Sequence, residues 1–274
     1  MGTSGSVSGA GKGSPLVPDW VEQVENADGA EPDATNQEGP KPAIPITTHG
    51  RLAAARRSLG EYVKTGNRDS LQKGVAHYVR TGRGGSALAT RRSAGSSRRA
   101  SALSGIVGGS SDFNEIRERI KETLSASGDP QEILAAIAAA ASPNDGTLDS
   151  ETGQRAASEA LQFVLELFPN ADPLDLNIEQ RELLLERFLA IDCYELFMTE
   201  VGKHLQAKVP LKVAAGRFRE IKEYFCETFR EANRERSKQG RNSLGTFTDR
   251  RLSEICREVI AEAYFTFEAY IDAS

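Results

Sequence analysis

Beyond residue 48 the apolar positions of this chain recur mostly at helical intervals. Leu52, Ala55, Leu59 and Tyr62-Val63 fall on one side of a helix. That helix should close near Gly66, because a left-handed closing residue costs glycine little. Leu71, Val75, Tyr78 and Val79 mark a second helix ending near Gly82. The two ends read Tyr62-Val63-Lys64-Thr65-Gly66 and Tyr78-Val79-Arg80-Thr81-Gly82. This short echo predicts two similar helix-turn units, too few for a solenoid. Residues 83–111 are rich in Gly, Ser and Arg, and mostly loop is expected there. Leu88, Leu103, Ile106 and Val107 offer only a weak helix.

From residue 112 the helix signals strengthen. Asp112 with Glu115 reads as a capping pair. Asp129-Pro130-Gln131-Glu132 supplies an N-cap acid, a proline at the first helical position and a glutamate three after the cap. The alanine- and isoleucine-rich helix that follows should run to about Ala141. A third helix is expected over 150–168, closed by Pro169. Asn177 with Gln180 caps a fourth, which carries Leu184, Phe188, Ile191 and Met198 and is broken by Pro210. Residues 211–237 place Phe218, Ile221, Phe225 and Phe229 three and four apart, and residues 248–272 do likewise with Leu252, Ile255, Val259, Ala263, Phe267 and Tyr270. Such stripes must pack on one another. No strand pattern competes with them. The expectation is an all-α bundle of five to seven helices, preceded by a long disordered tail and a basic helix-turn segment.

Composition divides the chain further. Residues 1–45 hold six of the eleven prolines and a net charge of −5, residues 46–110 a net +10, and residues 111–274 a net −10. Fifteen of the eighteen aromatic residues follow position 110, and a core needs such side chains. The organisation read from this is a flexible Gly/Pro-rich tail (1–47), a basic helical and Gly/Arg-rich segment (48–110) and an acidic α-helical domain (111–274). The tail cannot bury enough apolar surface to offset chain entropy. Its exception is Pro15-Leu16-Val17-Pro18-Asp19-Trp20-Val21, a proline-fixed stretch with the only tryptophan, expected to dock on a partner or on its own domain. No run approaches 18 uncharged apolar residues, which excludes a spanning helix. The first residues lack the basic start and apolar stretch of a secretory signal, so a cytoplasmic protein is expected.

Candidate chemistry is sparse. Gly9-Ala10-Gly11-Lys12-Gly13-Ser14 resembles a phosphate loop only briefly, since Ser6 and Gly13 stand where glycine and Ser/Thr are needed. Cys193, Cys226 and Cys256 lie in or beside apolar stripes and read as buried structural thiols. They and the three histidines are too dispersed in sequence for a local metal pattern, and no metal or cofactor is expected. The acids after residue 110 read as solvated helix faces. No catalytic constellation emerges, so a non-enzymatic protein is expected. The basic segment could attract phosphate backbones through Arg80, Arg83, Arg91, Arg92, Arg98 and Arg99. The acidic domain is an internal partner of equal charge, and neutralisation by protein is the favoured reading over nucleic acid. Removal of Met1 would expose the amine of Gly2. Met-Gly-x-x-x-Ser also fits an acylation pattern, but one acyl chain binds membrane weakly and the adjoining tail is acidic.

Several of these stretches resemble the QatB family of the Qat anti-phage defence system. They are the opening Met1-Gly2-Thr3-Ser4, the Ser14–Val21 stretch, Arg56-Arg57-Ser58-Leu59-Gly60, Asn67-Arg68-Asp69-Ser70-Leu71, Gly74-Val75-Ala76-His77-Tyr78-Val79-Arg80-Thr81-Gly82-Arg83-Gly84-Gly85 and Thr90-Arg91-Arg92. The motifs cover roughly the first 110 residues; beyond them only a helical, acidic character is shared. The resemblance implies partners: an ATPase (QatA), a QueC-like enzyme (QatC) and a TatD-like nuclease (QatD). QueC-like enzymes activate a carboxylated deazaguanine with ATP, and in defence relatives the acceptor is a partner's N-terminal glycine. Gly2 matches that position. The resemblance then implies that Thr3, Ser4 and Gly5 enter the QueC-like site, with Pro15, Leu16, Val17, Pro18 and Trp20 as a docking anchor.

Overall fold

A computed structural model describes residues 50–127, 129–248 and 251–272. The expected tail, 1–47, lies outside the described residues. The rest is all-α, and no strand occurs among the described residues. Among the described residues ten α-helices form, where five to seven were expected: α1 (Ala53–Thr65), α2 (Arg68–His77), α3 (Ser86–Arg92), α4 (Ala94–Val107), α5 (Asn114–Ser127), α6 (Pro130–Ala141), α7 (Leu148–Leu167), α8 (Ile178–Gln206), α9 (Leu211–Lys238) and α10 (Arg251–Asp272).

Local signals place most helix ends. Gly66 closes α1 at φ 76°, its N–H donating to the Tyr62 carbonyl. Asp129 accepts from the Gln131 amide at 2.8 Å, with Pro130 in the first turn of α6. Asn177 and Gln180 form the reciprocal capping box of α8. Two expectations fail. Asp112 falls inside a 3-10 turn, Ser111–Phe113, that leads into α5. The echo of Tyr62–Gly66 in Tyr78–Gly82 is one of sequence alone. The second copy is a π-helical turn, and Gly82 is buried against Leu52.

The expected loop over 83–111 is the largest correction, because α3 and α4 occupy most of it. Glycine and serine usually weaken a helix. Here they allow close packing: Ser96, Ser97, Ala100, Ser104 and Gly105 of α4 are all buried. A Cβ on Gly105 would stand 2.4 Å from the Phe113 ring, so only glycine fits.

One apolar cluster draws on every helix and on residues both before and after position 110. α8 runs through it and buries Leu184, Phe188, Ile191, Phe197 and Val201, packed by α1, α4, α7 and α9. Aromatic rings bind the centre. Tyr78 meets Phe197 edge-on at 4.9 Å, Phe197 lies 5.3 Å from Phe225, and Phe225 lies 4.9 Å from Phe267. This chain of contacts joins the π turn, α8, α9 and α10. α10 also packs on α2, α3 and α4.

Candidate functional site

The arginines singled out from sequence separate into two groups. Arg83 is taken inside at 7% exposure. Its Nε donates to the Tyr78 hydroxyl at 2.7 Å, and its guanidinium lies 3.4 Å from Glu200. Arg99 reaches Asp192 of α8 at 2.7 Å. That carboxylate is fully buried; burial pushes its pKa up, against the pull of Arg99. Arg51 also approaches Glu200, at 3.6 Å, and Arg68 approaches Glu227. Part of the basic segment is thus neutralised by acids of the following segment. Asp192 itself departs from the solvated reading given to those acids. It sits in an otherwise apolar run, and its partner is 93 residues away in sequence.

Arg91, Arg92 and Arg98 form the other group. All three are exposed and make no ion pair or hydrogen bond among the described residues. Arg80 is exposed on the π turn. Burial lowers the pKa of the nearby His77, and Arg80 adds to the effect.

The corner that presents Arg91, Arg92 and Arg98 is held from α10. Gly85 enters α3 at φ 92°, and the Ser86 amide donates to Glu268 at 2.8 Å. Ser93, between α3 and α4, is buried; its hydroxyl donates to the Ala89 carbonyl and lies 3.0 Å from the Tyr264 hydroxyl. Opposite stands the α6–α7 loop. Ser142 donates to the Ser150 carbonyl at 3.0 Å, and the Gln154 amide returns a bond to the Ser142 carbonyl at 2.8 Å. Thr147 caps α7, and its hydroxyl and amide hold Asp145 below the usual carboxylate range. Corner and loop enclose a cavity of about 500 Å³. Its lining includes Arg91, Arg92, Arg98, Arg99, Ser96 and Asp149.

A second basic groove, also about 500 Å³, runs between α1 and the end of α8 and carries Arg56, Arg57, Lys64, His204 and Lys208. Burial lowers the His204 pKa, and Lys208 and Arg56 add to the effect. Sequence reading missed both cavities. Their walls come from helices far apart in the chain, and no local pattern announces them.

The thiols are as expected: Cys193, Cys226 and Cys256 are free and buried. Burial pushes Cys193 and Cys226 up to about 12, which disfavours the thiolate a nucleophile needs. No group of three or more His, Cys, Asp or Glu side chains is placed to hold a metal ion among the described residues. No helix among them is long and apolar enough to cross a membrane. Gly2, Thr3, Ser4, Gly5, Pro15, Leu16, Val17, Pro18 and Trp20 lie outside the described residues.

A family model described as "Qat anti-phage system associated protein QatB" matches residues 84–267. No curated protein and no solved structure matches the chain. The matched span begins at Gly84, near the end of the motifs from which the resemblance was read, and continues through the helical body. It therefore reaches well past the expected limit near residue 110, and it leaves the tail outside.

Proposed function

Because the chain belongs to the QatB family of the Qat anti-phage system, we propose that it acts in defence as a helical adaptor without catalysis of its own. In this reading its N-terminal glycine is bound and modified by a QueC-like partner. Met1-Gly2-Thr3-Ser4-Gly5 carries the proposal. A small second residue favours removal of Met1, and the glycine amine then leads a run of small, uncharged residues that a narrow site could admit. Pro15, Leu16, Val17, Pro18 and Trp20 supply an apolar anchor outside that site. The ATPase and TatD-like nuclease complete the proposed set of partners.

Intact-mass spectrometry after co-expression with the QueC-like protein tests this. The expected result is a mass increase that maps to Gly2 and is absent from Gly2→Ala. Gly2→Ala should also lose phage protection while keeping the wild-type melting temperature. An unmodified Gly2 terminus in a protecting strain would overturn the role of the tail.

A nucleic-acid accessory role is the second reading, favoured by the unpaired Arg91, Arg92 and Arg98. Binding of a DNA or RNA strand should then weaken steeply with salt. No gel shift at low salt would remove this reading. Asp145 and Asp149 share the cavity with these arginines and oppose a continuous phosphate backbone there.

A further inference from the structure

The cavity between the α3–α4 corner and the α6–α7 loop is lined by more positive than negative charge. Arg91, Arg92 and Arg98 line it, exposed and without an ion pair, against the carboxylates of Asp145 and Asp149. A small anion is attracted to such a surplus. At the inner wall Ser96 is fully buried, and its hydroxyl lies beside the buried Asp192, whose Oδ1 is also without another partner. These two complement one another, so the groups left open to the cavity are those of Arg91, Arg92 and Arg98.

The remaining walls narrow the chemistry. Asp149 is exposed in the first turn of α7, and its carboxylate has no partner among the described residues. Beside a cationic cluster, a free carboxylate repels a polyanion but accepts hydrogen bonds from a neutral donor. Leu196 and Pro143 add apolar surface. A volume of about 500 Å³ suits a small organic molecule and far exceeds a lone phosphate ion.

We propose that this cavity binds a nucleoside monophosphate. The phosphate would be met by Arg91, Arg92 and Arg98. The base or sugar donors would be met by Asp149 against Leu196 and Pro143. The proposal is independent of the tail, since its residues all lie within the family-matched span.

Titration calorimetry on the full chain tests it, using AMP, GMP, CMP, UMP, inorganic phosphate and a single-stranded DNA oligonucleotide as probes. At least one monophosphate should bind in the micromolar range, and more than about tenfold tighter than inorganic phosphate. Arg91→Gln combined with Arg98→Gln should weaken that binding by about tenfold or more. Asp149→Asn should change the preference among bases and leave phosphate binding unchanged. These residues are exposed, so the variants should melt at the wild-type temperature, and circular dichroism checks this. The proposal is overturned if no monophosphate binds more tightly than inorganic phosphate. It is also overturned if the DNA binds more tightly than every monophosphate, or if the arginine variant binds as the wild type does.

Discussion

Gly153 of α7 shows how much one absent side chain can carry. A Cβ there would stand 2.6 Å from Arg99 Nε and 2.7 Å from both Arg99 Cδ and Ser142 Oγ. Arg99 can therefore reach Asp192 only by lying against the backbone of α7. Displacing it would leave a buried carboxylate without its counter-charge, which is among the costliest of point changes. Gly153→Ala should lower stability by about 2–4 kcal/mol in urea unfolding, although alanine is the better helix former. The three thiols make a second prediction at this scale. Buried and held far from thiolate, they should react with a thiol reagent only as fast as the protein opens. Of these residues, the cysteines were legible because they sit in obvious apolar stripes. Asp192 was not, because an acid in a helix reads as solvated until its distant partner is known.

Between α8 and α9, Asn233 donates from one amide nitrogen to both Glu182 and Glu186, each at 2.6 Å. Burial pushes Glu186 up to about 7, Asn233 opposes the shift, Glu182 adds to it and Arg230 pulls it down. A carboxyl with a raised folded pKa binds more protons folded than unfolded. Stability should therefore fall as pH rises from the ordinary carboxyl range to about 7, then level off. Roughly 2–3 kcal/mol should be lost over that window. Glu186→Gln should flatten the slope in urea melts taken across the window. The helices themselves were read well wherever their signals are local, as with Asn177 and Gln180 capping α8. Over 83–111 the local signal misleads, because a stretch rich in Gly, Ser and Arg resembles a loop. The small size of glycine and serine is what lets α4 pack closely, a property of the neighbours that no local window contains.

At the scale of the whole molecule, basic and acidic segments share one core and exchange ion pairs. We expect residues 50–272 to unfold as a unit, with coincident transitions by circular dichroism and fluorescence. A fragment limited to residues 111–274 should lack a cooperative transition. Without α1, α2 and α4, it would expose the faces of α8 and α10 that those helices cover. A stable, monomeric fragment would contradict this. The opposing net charges of the two segments correctly suggested an internal match. Which arginines remain turned outward could be learned only from the packing.

The carboxylate of Glu268 reaches across 182 positions of sequence to the first amide of α3. The arginine corner is thus latched by the closing turns of α10. Glu268→Ala would therefore be felt at that remote corner, as a loosened seat for the start of α3 and the guanidinium groups it carries. Damage to one helix would surface as disorder in another that it meets only through folding.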